Sequence, residues 1–186
     1  MWYSRQLQHF KGVLAVKLVL PFIVLTFITG CATYSRVQKI MAEAERHSAV
    51  ADNLVKENRY DDAEREASLT IDKAEKWYRM CLKAPDCEIA GYGRRTSIAN
   101  YYVKRASLRL QMNKVELALQ DTKLALRHDD VHPRARWLLG HCYVEIGDIN
   151  AARRELDVLK YLDEELAGDL EFAIDKRWPT GTDVIE

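Results

Sequence analysis

The stretch MNKVELALQDTKLAL, Met112–Leu126, aligns with IGDINAARRELDVLK, Ile146–Lys160, at a shift of 34 residues. Asn113 falls on Gly147, Ala118 on Ala152, and upstream Ala106 falls on Gly140. A unit this short cannot bury its apolar face alone, so successive copies must stack into one continuous core. A third, more distant copy is NRYDDAEREA, Asn58–Ala67, with Asn58 at the turn and Ala63 at the helix contact. Its first helix would carry Ala51 at the close-packing point. Ala51 and Ala106 are 55 residues apart, so about 21 residues are inserted between Ile71 and Thr96.

The chain after residue 35 is rich in Ala, Leu, Glu, Lys and Arg, and the whole sequence holds only 8 Gly and 4 Pro. That composition favours helices throughout. The pattern predicts helices over 36–57, 60–83, 96–112, 115–128, 133–146 and 149–161, with a closing helix near 163–176. Pro133 suits a first helical position, with Asp130 or His132 as its cap, and Asp148 or Asn150 can cap the next helix. Leu162, Leu166, Leu170 and Ile174 form one apolar stripe on the closing helix.

Period and residues together resemble the tetratricopeptide repeat. Small residues mark the close approach, an Asn or Gly-Asp turn follows, and an Ala opens the second helix. Leu139, Gly140, Tyr143, Gly147, Asp148 and Ala152 carry this in one unit, and Tyr102, Ala106, Asn113, Ala118 and Ala125 in the other. The resemblance covers most of 37–162 and implies an all-α, short right-handed α-solenoid of TPR-like helix pairs with a C-terminal capping helix. Three positions depart from it. Arg105 stands where an apolar residue is usual, Arg109 where an aromatic is usual, and Leu159 where a small residue is usual. The resemblance also implies a concave face, lined by first-helix residues, that binds a protein partner. Its candidates are Asn100, Lys104, Ser107 and Gln111 in one unit and Arg134, Trp137, His141 and Glu145 in the next, with Val103 and Leu138 in the same register. Trp137 is expected as an exposed anchor, against the alternative that it packs on the preceding repeat. The first unit has Glu45, Ser48, Ala49 and Asp52 there. These lack the Lys, Asn and Arg of the family's carboxylate-clamp version, which argues against capture of chaperone C-terminal carboxylates.

The first thirty residues are of another kind. Arg5, Lys11 and Lys17 precede an uncharged apolar run of eleven residues, Leu18–Ile28. A membrane-spanning helix needs about 20 apolar residues, and eleven is the length of a signal-peptide core. The run ends in Ile28-Thr29-Gly30-Cys31, which resembles the lipobox of bacterial lipoproteins. That resemblance implies cleavage between Gly30 and Cys31 and covalent lipid on Cys31, with no other cofactor. By the family's sorting tendency, Ala32 after the cysteine implies the outer membrane. Two alternatives stand beside it: a buried core helix, and an uncleaved inner-membrane anchor spanning Val13–Gly30 with Lys17 snorkelling.

Lys+Arg and Asp+Glu are equal at 28 each. Residues 1–31 hold three of the basic residues and no acid, leaving a body of 25 basic and 28 acidic residues without the basic stripe of a nucleic-acid binder. There is no HExxH, GxSxG, phosphate-cradling or dinucleotide motif, so neither an enzyme nor a small-molecule substrate is expected. Cys81 and Cys87 flank LKAPD. In an exported body a disulfide is the favoured reading, with free thiols or a metal site as alternatives. Cys142 reads as a small buried apolar residue. His128-Asp129-Asp130-Val131-His132 reads as an inter-unit turn rather than a zinc site, and no metal site is expected. A metal-binding or redox-active periplasmic protein using these cysteines and histidines is the rival class. The expected organisation is a signal peptide over 1–30, a lipidated tether over 31–36, a helical domain over 37–176 and a loose tail over 177–186. The expected work is that of a periplasmic scaffold binding a protein partner for pilus, secretion-pore, outer-membrane-protein or cell-wall assembly.

Overall fold

The computed structural model describes residues 35–82 and 91–177. All regular structure among them is helical: α1 over 35–56, α2 Tyr60–Cys81, α3 Gly91–Gln111, α4 Val115–His128, α5 Pro133–Ile146, α6 Ile149–Leu162 and α7 Glu164–Arg177. Helices adjacent in sequence pack on each other, and α5 also touches α3 and α7. The fold is an all-α solenoid-like stack.

The turn inside each pair is the most regular feature of the chain. Asn58, Asn113 and Gly147, the three positions matched by the repeat, have φ of 59°, 57° and 93°. Each ends its helix the same way. The next residue's N–H reaches back to the carbonyl five residues earlier: Arg59 to Leu54 at 2.9 Å, Lys114 to Arg109 at 2.8 Å, Asp148 to Tyr143 at 3.0 Å. This is the left-handed helix stop that Gly and Asn adopt at least cost. At the third turn Asp148 caps α6, its Oδ1 accepting from Ala151 N–H at 2.9 Å. His132 caps α5 behind Pro133, and Asp163 caps α7. The first two turns have no side-chain cap, but Asp61 and Asp62 sit in the first turn of α2 and Glu116 in that of α4, where the helix dipole favours acids.

The extra residues between the first two units turn out to be mostly helix. α2 and α3 are 22 and 21 residues long, whereas α4 to α7 are 14 each. The helix expected to start at 96 starts at Gly91. Gly91 and Gly93 lie inside this helix despite their weak helix propensity.

Alanines carry the close approaches. Ala44, Ala63, Ala74, Ala99, Ala106, Ala118, Ala125, Ala135 and Ala152 are wholly buried. One core cluster, around Ile98, Tyr102 and Leu138, joins α1 to α5, and a second, around Leu156, Leu159, Leu170 and Ile174, joins α5 to α7. Leu138, Leu159 and Leu170 each contribute about 1.5–3 kcal/mol through burial. Leu162 is off the stripe expected for it: it ends α6 and is partly exposed, because the helix breaks at Asp163. Ala167, Leu170 and Ile174 are the buried stripe of α7, with Leu166 half-buried.

Candidate partner-binding face and a buried ion network

The eight candidate residues lie on the first helices of two adjacent pairs, Asn100, Lys104, Ser107 and Gln111 on α3 and Arg134, Trp137, His141 and Glu145 on α5. Asn100, Lys104, Gln111, Arg134 and Glu145 are exposed and Ser107 is half-buried, while Val103 and Leu138, in the same register, are buried. Lys104 is engaged across units: its Nζ lies 2.7 Å from Asp52 Oδ2 and 3.2 Å from Ser48 Oγ on α1. This bridge closes one side of a cavity of about 40 Å³ between α1, α2 and α3, which Val55, Thr70, Tyr101 and Leu108 also line.

Trp137 is not the exposed anchor expected. It is half-buried and packs against both core clusters, because it sits where α5 is covered from both sides. The His141 ring lies 4.4 Å from it at a tilt of 59°. Burial holds the His141 pKa below the ordinary histidine value, against the pull of Glu145 and Asp169. Trp137 Nε1 and His141 Nε2 are buried and have no hydrogen-bond partner among the described residues.

The departures from the repeat pattern converge on an acid that pattern reasoning passed over. Arg105 grips Asp121 with two bonds, Nε to Oδ2 at 2.9 Å and Nη2 to Oδ1 at 2.7 Å, and donates to Ser68 Oγ at 3.0 Å. Arg109 gives Nη1 to Asp121 Oδ2 at 2.8 Å and Nε to Glu64 Oε1 at 2.7 Å. Lys114 completes Glu64 at 2.7 Å. Asp121 is 1% exposed and the two arginines 14% and 13%. Burial pushes the Glu64 carboxyl up, but the hydrogen bonds from Lys114 and Arg109 outweigh it and hold it below its ordinary value. The network ties α2, α3 and α4 together with planar, two-pronged pairs that a lysine could not form. Its signal in the sequence was two arginines four residues apart on an inward helix face, which require a buried carboxylate.

The inter-unit histidines are structural. His128 Nε2 lies 3.0 Å from Glu75 Oε1, and its ring stacks on Tyr102 at 5.8 Å and meets Tyr78 edge-on. Burial, then the nearby Glu75, push the Tyr102 hydroxyl pKa up to about 12. His132 Nδ1 accepts from Ala135 N–H at 3.3 Å, and its Nε2 faces Asn100 Oδ1 at 3.0 Å. Among the described residues no group of three or more His, Cys, Asp or Glu could hold a metal. Cys142 is buried, and burial pushes its thiol pKa up to about 12. Cys81 is buried at the end of α2. Gly30, Cys31 and Cys87 lie outside the described residues. No described helix is long and apolar enough to cross a membrane.

The helix pairs, their recurrent left-handed turns and the alanine contacts define a tetratricopeptide-like helical repeat protein. Two solved structures share the fold. The Arabidopsis OM64 TPR domain superposes with a TM-score of 0.57 at 16% identity, covering 74% of this chain and 98% of that one. PcrH from Pseudomonas aeruginosa superposes with a TM-score of 0.51 at 18% identity, covering 72% and 90%. No protein-family model matches the chain, and no curated protein matches it.

Proposed function

We propose that this chain is an adaptor: a periplasmic tetratricopeptide-like stack, lipid-tethered through Cys31 to the outer membrane, that holds a protein partner for envelope assembly. The observation that carries the reading is the repetition of exposed polar positions on the first helices. Asn100 and Arg134, and Gln111 and Glu145, are equivalent residues of successive units, and all four are exposed. A stack that keeps equivalent polar side chains at the surface on one side of consecutive units offers an extended, multi-point surface. The tether is supported by Ile28-Thr29-Gly30-Cys31 after a short apolar run with a basic lead, and two or more acyl chains anchor firmly where one does not.

Mass spectrometry of the chain produced in a Gram-negative bacterium tests the tether. The expected product lacks residues 1–30 and carries lipid on Cys31, whereas Cys31→Ala retains residues 1–30 and loses the lipid mass. A wild-type chain that keeps residues 1–30 would establish the uncleaved inner-membrane anchor instead. Photocrosslinkers at Gln111 and Glu145 test the adaptor. Both should capture the same envelope protein, and two unrelated capture patterns, or none, would overturn the reading.

A further inference from the structure

The cavity between α1, α2 and α3 lies where the repeat departs from its own pattern. At a shift of 34 residues Lys104 falls on Leu138, and at a shift of 55 Ser48 falls on Val103 and Ala51 on Ala106. At the second seam, where α5 meets α3 and α4, those equivalents are packed. Leu138 is 2% exposed and shares one core cluster with Val103, Ala106 and Ala125. At the first seam Lys104 carries its charge outward to Asp52 and Ser48 on α1. The apolar plug of the second seam is thus a lysine at the first, and about 40 Å³ stays unfilled.

The walls select what fits. Ala51, Val55, Ala67, Leu108 and Tyr101 line the cavity. Thr70 donates its hydroxyl proton to the Glu66 carbonyl at 2.9 Å, and Ser48 Oγ accepts from Lys104. With these hydroxyls engaged, the walls favour an apolar group over water, which needs two or more polar partners. At about 10–15 Å³ per water-sized group the space takes about three such groups, the branched end of a Val or Leu side chain. The cover over it is weak. Lys104 and Asp52 are each 50% exposed, and so exposed an ion pair adds little to stability. Glu45 borders the same site: burial, then the charge of Glu45, hold the Tyr101 hydroxyl pKa above its ordinary value. Two acids, Glu45 and Asp52, therefore stand against one base at the rim.

We propose that this cavity is the anchor socket of the partner-binding face, taking a Val- or Leu-sized aliphatic side chain of the partner protein with a basic residue beside it. The partner supplies from outside what Leu138 supplies from inside at the second seam, and its basic residue balances the acid excess at the rim. The inference rests on the adaptor reading and names the chemistry that the adaptor recognises.

Xenon, a probe that enters dry apolar cavities, tests the socket without the partner. In the full chain in mild detergent it should shift the Val55 and Leu108 methyl resonances saturably. Lys104→Leu restores the repeat's own plug, and Ala67→Leu fills the cavity from α2 while leaving Lys104, Asp52 and Ser48 in place. Each should weaken xenon binding at least tenfold and leave the thermal midpoint unchanged or higher. Each should also cut capture from Gln111 at least tenfold. A photocrosslinker at Ala49 should map to a partner segment holding a Val, Leu or Ile next to Lys or Arg. A wild type without xenon shifts, capture lost in Lys104→Leu alone, capture undiminished in both variants, or an Ala49 adduct in an acidic or wholly polar segment would each overturn the socket while the adaptor stands. Wild-type xenon shifts with no capture from Gln111 or Glu145 would instead overturn the adaptor, and the socket's role with it.

Discussion

Arg105 holds Asp121 in a two-pronged ion pair at 2.7 and 2.9 Å, with the carboxylate almost completely out of water. Arg109 shares the same acid. Removing one member of such a cluster strands the others. Asp121→Ala leaves two guanidinium groups facing a site built for a carboxylate, and it should destabilise the fold by about 3–5 kcal/mol. Replacing the three together by apolar residues, Met at 105, Phe at 109 and Leu at 121, should cost far less or even stabilise. Urea unfolding of the single and triple variants measures the difference. A triple variant as unstable as Asp121→Ala would show that the space, not the charge, is what the network serves.

Gly140 and Leu170 meet where α5 packs on α7. The Leu170 side chain occupies the space a Cβ at 140 would need, and Leu170 is fully buried and has nowhere to move. Gly140→Ala should cost about 1–3 kcal/mol by overpacking. In Gly140→Ala/Leu170→Ala the added methyl meets a smaller neighbour, so the two effects should be less than additive by more than about 0.5 kcal/mol in a double-mutant cycle. Strict additivity would mean that α7 is free to slide, contrary to the packing described.

Cys142 should be chemically silent. Its thiol is buried and its pKa is pushed up to about 12, so almost no thiolate exists at neutral pH, and the thiolate is the reacting form. Peptide mapping after alkylation at pH 7.5 should find Cys142 unmodified in the native chain and fully modified in denaturant. Labelling of Cys142 within minutes under native conditions would show that the α5 contacts open readily.

The legible parts of this fold are those where chemistry is local. Asn58, Asn113 and Gly147 are residue types that tolerate positive φ, and all three adopt it. Pro133 and Asp148 likewise signal helix starts through their own backbone and side-chain geometry. The less legible parts depend on what a helix meets. Asp121 resembles any acid on a helix until Arg105 and Arg109 are seen to point at it. The start of α3 at Gly91 runs against the weak helix propensity of Gly91 and Gly93, so local preference does not mark it. Trp137 sits in the register of an open face, yet two core clusters close on it from either side. Sequence period places a residue on a face, but how much of that face a neighbour covers is decided between elements.

The acid side of the stability profile should report on His132. Its Nδ1 accepts the Ala135 N–H that caps α5, which fixes the proton on Nε2, donated to Asn100 Oδ1. Protonation would add a hydrogen to Nδ1 and break the cap, and burial already holds the pKa below the ordinary value of 6.5. The unfolded chain therefore takes up this proton more readily than the folded one, and stability must rise with pH through this window. The contribution is fully present above about pH 6.5 and is lost as pH falls through the lower, folded value. Asn at 132 keeps an oxygen for the cap and cannot titrate. His132→Asn should therefore flatten the thermal-midpoint profile below about pH 6.5 while changing it little at pH 8. A variant with an unchanged acid slope would move that proton uptake elsewhere, His141 first, since burial lowers its pKa as well.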